Sequence, residues 1–238
     1  GSVNISGNFG TISVGTNGDT DAFITHITSS GQWDWARVGG GPGSDDAADV
    51  DYVAGGDLRI VGAFQGGGTT GGAQFGSQTL NAVGSYDTFV SNMTSSGGWS
   101  WTVSAGSSNG LVQGFSLDYI GNDAYIGGIF QGSAIFGSHQ MTSTANSVNG
   151  FIAKIDSSGT WQWTTNTSGT GSQYLTKISV GPSGSIGVAG GIVGTTQNHN
   201  TATFGSITLS GVYYEAFVAV ADSQGNWLWA KSAGSAMD

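Results

Sequence analysis

Apolar and polar residues alternate with a period of two along short segments of the chain. In Asp21–Ile27, Phe23 and Ile27 share one face, because successive side chains of a strand point to opposite sides. Ser29-Ser30-Gly31-Gln32 follows, a turn in which Gly supplies a positive φ. Trp33-Asp34-Trp35 then resumes the alternation, which predicts both indoles on one side. The pattern predicts a β-hairpin.

This hairpin recurs four times, and each copy ends in a Trp-x-Trp pair. The first tryptophans are spaced by 66, 62 and 66 residues. A Phe lies ten residues before each first Trp, a Gly lies two before it, and an earlier Phe-Gly pair opens each unit. The pairs are Trp33/Trp35, Trp99/Trp101, Trp161/Trp163 and Trp227/Trp229, with Phe23, Phe89, Phe151 and Phe217 upstream. The chain is therefore an array of internal repeats.

A second pair of β-rich stretches follows each Trp pair after a Gly/Ser-rich loop. In one unit it comprises Phe115–Tyr119 and Ala124–Phe130, with a turn at Gly121-Asn122-Asp123. Equivalent stretches are 50–53 with 58–64, and 177–180 with 186–191. Phe75 to Leu80 is a further short decoration. Four antiparallel strands per unit, without helical periodicity, predict an all-β, β-propeller-like array of about four four-stranded blades.

The repeat predicts a single domain, residues 1–238, with units at 1–67, 68–128, 129–196 and a partial unit at 197–238. Roughly two strands of the fourth unit are missing, and the segment from Val3 to Ser6 supplies at most one. We therefore expect the fourth blade to be incomplete. Two arrangements fit: a compact ring with one thin blade, or open sheet edges that pair with another chain.

Patterns of the type Asp-Ala-Phe-Val, present as Asp-Ala-Phe-Ile at 21–24 and Glu-Ala-Phe-Val at 215–218, resemble a known group, as do Ser-Ser-Gly-x-Trp-x-Trp-Ala and Gly-x-Phe-x-Gly. They are similar to the bacterial SBBP-type β-propeller repeats of exported proteins, and the resemblance covers essentially the whole chain. It implies a toroid of four-stranded blades on a surface or secreted protein. It implies no catalytic residue, because that family is defined by its blade architecture.

The composition and charge of the chain limit the classes of molecule that it is expected to bind. Only 8% of the 238 residues are charged, and five Lys and Arg against fifteen Asp and Glu give a net charge of -10. So few basic residues make nucleic acid and anionic membrane surfaces poor partners. The longest apolar run, about six residues from Ala216 to Ala221, is too short to insert in a bilayer, where about 20 are needed. Without cysteine, disulfides and thiolate sites are excluded. Scarce Lys and abundant Gly favour an extracellular or cell-surface location.

Three sets of residues are candidates for ligand contact, and each has a structural alternative. The Trp pairs either stack on sugar rings or pack between adjacent blades. The acidic run Asp45-Asp46-Ala47-Ala48-Asp49-Val50-Asp51 either holds Ca²⁺ or is a solvated loop. Residues two before each repeated Phe either ring a ligand or accept hydrogen bonds from backbone amides. These residues are Asp21, Asp87, Asn149 and Glu215.

Signals of catalysis are weak. The three histidines, His26, His139 and His199, occupy non-equivalent positions outside any zinc-binding spacing, and there is no G-x-S-x-G motif. We therefore predict no enzyme activity, no cofactor, no metal and no catalytic residue. The leading hypothesis is a non-catalytic recognition or adhesion module with a protein or glycan ligand. The alternative is a structural subunit of an extracellular filament or surface assembly, joined through its incomplete blade.

Overall fold

A computed structural model describes residues 1–53, 55–65, 72–143, 147–194, 200–211 and 214–234. The fold is all-β, with 68% of residues in strands and no helix among the described residues. None of the described segments is therefore an apolar helix of membrane-spanning length. This confirms the predicted fold class at the level of antiparallel β-sheets.

Strands β1 to β23 follow the predicted hairpins closely. The first eleven are β1 (Ser2–Val3), β2 (Ser6–Phe9), β3 (Ile12–Gly15), β4 (Asp21–Ile27), β5 (Trp33–Gly39), β6 (Asp45–Tyr52), β7 (Leu58–Phe64), β8 (Ala73–Phe75), β9 (Gln78–Leu80), β10 (Asp87–Met93) and β11 (Trp99–Ser107). The others are β12 (Leu111–Ile120), β13 (Asp123–Gln131), β14 (Ser133–Phe136), β15 (His139–Thr142), β16 (Asn149–Ile155), β17 (Trp161–Ser168), β18 (Ser172–Val180), β19 (Ile186–Val193), β20 (Asn200–Phe204), β21 (Ile207–Gly211), β22 (Tyr214–Ala221) and β23 (Trp227–Ala233).

Four main sheets follow one another along the chain. Sheet 1 has the strand order β1-β4-β5, and sheet 4 has the order β18-β19-β22-β23. Sheet 2 has four main strands in the order β6-β7-β10-β11 and sheet 3 has β12-β13-β16-β17, and each is extended to six strands by a short hairpin, β14-β15 beside β11 and β20-β21 beside β17. All pairs within them are antiparallel. Four short hairpins, β2-β3, β8-β9, β14-β15 and β20-β21, interrupt the main strands once per repeat. The decoration predicted at Phe75 to Leu80 is the second of these hairpins.

Sheets and sequence units are out of phase. In sheets 2, 3 and 4, the four main strands join the last hairpin of one unit to the Phe-to-Trp hairpin of the next. The expectation of an incomplete fourth blade is therefore corrected: sheet 4 has four strands, and sheet 1 has three. Within sheet 1, β1 pairs with β4 only through Ser2 and Val3. A sequence repeat has no intrinsic starting point, so its phase does not reveal which strands share a sheet.

Consecutive sheets pack face to face through three apolar clusters. The repeated Phe lies on the face toward the preceding sheet, as Phe89 does in a cluster with Ile24 and Trp35 of sheet 1. The next residue lies on the opposite face, as Val90 does in a cluster with Ile126 and Phe151 of sheet 3. Sheets 3 and 4 meet in the same way. Sheets 2 and 3 are thus covered on both faces, which reduces the number of charged side chains that the surface needs.

A β-bulge places the two indoles of each Trp pair on opposite faces. In sheet 1, Trp35 lies opposite His26 but Trp33 lies opposite the next residue, Ile27, so Asp34 is the extra residue. The same register shift occurs in β11, β17 and β23. The prediction that both indoles share one side is therefore wrong, because a bulge interrupts the alternation with a period of two.

Candidate functional site

The second Trp of the first three pairs is a contact between sheets. Trp35 Nε1 donates a hydrogen bond to the Ser95 carbonyl, 3.1 Å away in the β10-β11 turn of sheet 2. Trp101 Nε1 donates to the Ser157 carbonyl of sheet 3 at 3.0 Å. Each indole also covers the glycine of that turn, and a Cβ on Gly97 would lie 2.7 Å from Trp35. These indoles pack between sheets, as the structural interpretation expected.

The first Trp of each pair packs within its own repeat. Trp99 meets the ring of Phe75 edge to face, with ring centroids 5.4 Å apart, and Phe75 also packs on Phe89 at 4.4 Å. Equivalent edge-to-face pairs are Phe9–Trp33, Phe136–Trp161 and Phe204–Trp227. The short hairpins therefore anchor to the sheets through these pairs.

The four polar residues before the repeated Phe do not share one site. Asp87 is buried and accepts hydrogen bonds from the amides of Val83 at 2.7 Å and Gly84 at 3.2 Å. Asn149 is buried and donates to the Thr167 carbonyl at 2.6 Å. The contacts of Asp87 support the hydrogen-bond interpretation, as does that of Asp21, whose Oδ2 accepts from the Asn17 amide. Asn149 differs, because it donates to a carbonyl of β17. Glu215 is half-buried in sheet 4.

The acidic run lies on a strand, β6, so the prediction of a solvated loop is wrong. Its carboxylates differ in burial: Asp45 is buried, whereas Asp51 is half-buried. Three or more His, Asp or Glu side chains gather nowhere among the described residues in a way that would hold a metal ion. The sequence predicted a strand only at 50–53, and the Asp residues before it hid the first part of β6, because Asp is rare in strands.

Asp45 forms a buried carboxyl pair with Asp21. A Cβ on Gly40 would lie 2.1 Å from Asp21 Oδ1 and 2.6 Å from Asp45 Oδ2, which places both carboxyls against one stretch of backbone. Burial raises the pKa of Asp45 from 3.8 to about 7, opposed by hydrogen bonds from the Gly41 and Gln65 amides and reinforced by Asp21. The Asp45 carboxyl is therefore protonated in part of the molecules at neutral pH.

A polar row runs across the first strands of sheets 2, 3 and 4. Asp49 Oδ2 accepts hydrogen bonds from Ser116 Oγ at 3.1 Å and the Leu117 amide at 3.0 Å, and Lys177 Nζ lies 3.0 Å away. Asp118 Oδ2 accepts from the Val180 amide at 2.7 Å. Sequence reasoning missed this row, since its members lie more than sixty residues apart. The row joins neighbouring sheets.

The histidines lie apart from one another. His26 Nδ1 lies 3.1 Å from Asp34 Oδ2, and its ring stacks on Trp35. His139 Nε2 lies 3.3 Å from the Trp161 carbonyl. His199 falls outside the described residues. The two described histidines therefore belong to different local contacts.

An open groove runs along β4, where sheet 1 lacks strands that the other sheets have. In sheet 2, β7 pairs with β10 over its whole length. In sheet 1, β1 reaches only Ala22 and Asp21, and the Phe23 amide donates to the Gly1 carbonyl at 2.9 Å. Beyond that point β4 faces two adjoining cavities of 190 and 270 Å³, both lined by Ile24, Thr25 and Val50. The groove has the unpaired edge of β4 as one wall and β6 with β7 as the other.

Comparison with known proteins adds no assignment: no protein-family model and no curated protein matches the chain.

Proposed function

We propose that the chain is a non-catalytic recognition module of an exported or cell-surface protein, and that its ligand is a protein segment in extended conformation, added as a strand to β4. Its sheets would form consecutive blades of a β-propeller-like array similar to the SBBP-type repeats. The groove beside β4 carries this proposal.

The groove matches what strand addition requires. An extended peptide would pair with the free amides and carbonyls of β4 and place alternate side chains over the apolar floor. The Phe23 amide points into the groove, since it donates to Gly1. By the period of two, Thr25 and Ile27 present their amides on the same side. Ile24, Ile60 and Val50 supply the apolar lining.

The repeat itself indicates the sequence that would fit. The equivalent place beside β10 is filled by β7, in which Leu58, Arg59, Ile60 and Val61 lie opposite Met93, Asn92, Ser91 and Val90. An alternating, mostly apolar segment of this kind is the ligand class we propose. A glycan is less favoured, because Trp35 and Trp101 pack between sheets.

A peptide titration tests the proposal. We would titrate the whole chain with a synthetic peptide of residues 57–62 and measure the heat of binding and amide chemical shifts. We expect shifts concentrated on β4 and no binding by a peptide whose alternate backbone amides are N-methylated. Thr25→Pro, which removes an amide facing the groove, should abolish binding, whereas Thr25→Val should retain it.

Two results of the peptide titration would contradict strand addition: chemical-shift changes outside β4, or equal binding of the methylated peptide. Specific binding on a glycan array, without binding of the peptide, would show that the ligand is a sugar and not a protein.

The second candidate function, a structural subunit of an extracellular filament or surface assembly, is favoured by the uncovered end faces of sheets 1 and 4, where Ile27 and Val218 are exposed.

A further inference from the structure

The two ends of the sheet series carry complementary halves of the contact that recurs between neighbouring sheets. Trp35, Trp101 and Trp163 each cover the turn glycine of the following sheet, which is Gly97, Gly159 or Gly225. Trp229 is the equivalent residue of sheet 4, and it is 45% exposed, against 6% for Trp35. Gly31 is the equivalent turn glycine of sheet 1, and a Cβ placed there meets nothing within 4 Å.

The uncovered turn already has the conformation of the covered ones. Gly31 has a φ of 79°, close to the 80° of Gly97 and the 84° of Gly159. Its amide donates to the Thr28 carbonyl at 2.9 Å, as the Gly97 amide donates to Thr94 at 2.9 Å. A partner would therefore meet a preformed surface, which lowers the entropic cost of binding.

The flanking side chains are uncovered in the same way. Val218, on the outer face of sheet 4, is 49% exposed, whereas Val90 and Ile152 at the equivalent positions are fully buried. On the outer face of sheet 1, Ile27 is 50% exposed, whereas Met93 at the equivalent position is fully buried. Apolar patches of this kind mark interaction surfaces.

A cationic contact completes the correspondence. Arg37, two residues after Trp35, donates through Nε to the Gly97 carbonyl at 2.8 Å and through Nη2 to the Ser96 carbonyl at 3.5 Å. Lys231 holds the same place two residues after Trp229 and is exposed. Its ammonium is thus available for the carbonyls of a turn like Ser30-Gly31.

We propose that the outer face of sheet 4 docks onto sheet 1 of a second copy of this chain, with Trp229 covering Gly31 and its Nε1 donating to the Ser29 carbonyl. Trp229 and Gly31 do not line the β4 groove, although Ile27 borders both surfaces. This inference therefore does not depend on the peptide ligand. Because the two halves lie on different sheets, the contact is head-to-tail and propagates into a filament or closes into a ring.

Sedimentation velocity over low to several hundred micromolar protein tests this docking. We expect association that Trp229→Ala weakens about tenfold or more, as for a central interface tryptophan. Gly31→Asn should weaken it similarly, because Asn tolerates the positive φ but its side chain would meet Trp229. The matched controls are Gly121→Asn, another turn glycine with a φ of 62° and no atom within 4 Å of a Cβ, and Val83→Ala, an exposed residue outside both faces. Neither control should change association.

Mixing the two variants tests direction. Trp229→Ala keeps an intact turn and Gly31→Asn keeps an intact indole, so an equimolar mixture should form heterodimers that grow no further. A monomer at every concentration would overturn the proposal. Association that survives either variant, or a mixture without heterodimers, would overturn it as well.

Discussion

The Trp35 indole donates a hydrogen bond to the Ser95 carbonyl of the next sheet and rests on Gly97 of the same turn. Trp101 repeats this relationship with Ser157 and Gly159. Neighbouring sheets are therefore joined by a fixed device: a bulged tryptophan on one sheet and a glycine turn on the next. This device accounts for the invariant sequence spacing, because the bulge, the turn and the indole must stay in register.

Replacing the second Trp of a pair by Ala should lower the stability of the fold more at Trp35, within the series of sheets, than at Trp229, at its end. We expect Trp35→Ala to lower the free energy of unfolding by about 3–5 kcal/mol, since a buried indole leaves a cavity. Trp229→Ala, where the indole is half-exposed, should cost less than about 1 kcal/mol in dilute monomeric protein. Urea unfolding followed by circular dichroism measures both. Equal costs would show that the inter-sheet contact is not what stabilises Trp35.

The turn glycines allow steric overlap to be separated from backbone strain. Gly31 and Gly97 have φ values of 79° and 80°, but only Gly97 lies under an indole. Gly31→Ala should cost about 1–2 kcal/mol of stability from the positive φ alone. Gly97→Ala should cost about 1–3 kcal/mol more, because its Cβ would overlap Trp35. Paired urea unfolding curves give the difference, and a difference near zero would contradict the packing role.

Sequence patterns predicted the hairpins and the all-β class, because alternation and spacing are local properties of the chain. Of the two interpretations of the Trp pairs, packing between blades holds for the second Trp of the first three pairs. They missed the opposite orientation of Trp33 and Trp35, since one bulged residue is invisible to a pattern with a period of two. They also missed the contact between Asp49 and Leu117, which depends on how the sheets stack. The need for glycine at position 62 is likewise visible only in the folded chain, because a Cβ there would lie 2.6 Å from the Phe89 ring.

Stability should fall as pH rises from about 4.5 to 7. The pKa of Asp45 is raised by burial from 3.8 to about 7, so the folded chain holds a proton that the unfolded chain has lost. Burial also raises the pKa of Asp46 and Asp87, which gives the same sign. The stabilisation is fully present below pH 3.8 and is lost as pH rises through 7. Thermal unfolding across this range should show a falling midpoint.

Asp45→Asn should flatten this slope, because it removes the largest titration. Asp222→Asn is the control: hydrogen bonds led by that from Asn226 lower the pKa of Asp222, so its contribution is lost only below the window. That variant should keep the slope even if it shifts the midpoint. An unchanged slope in Asp45→Asn would contradict the raised pKa of Asp45.

Arg59 joins sheets 2 and 3 through an interaction that does not recur at the equivalent positions of the other repeats. Its guanidinium is buried 4.6 Å over the Trp101 ring, donates to Asn92 Oδ1 and reaches the Ser157 carbonyl at 3.5 Å. The stacking and the hydrogen bonds both depend on a planar cation. A lysine ammonium is a compact, strongly hydrated charge that cannot stack in this way.

We therefore expect Arg59→Lys to lower the free energy of unfolding by about 1–3 kcal/mol, the cost of losing charged hydrogen bonds at a buried site. Arg37→Lys is the matched control, because Arg37 stands 5.7 Å from Trp35 and is only half-buried. It should cost less, since water can replace its partners. Urea unfolding of both variants decides the matter: if Arg59→Lys is as stable as the unsubstituted chain, the planar contact with Trp101 contributes nothing to the joint between sheets 2 and 3.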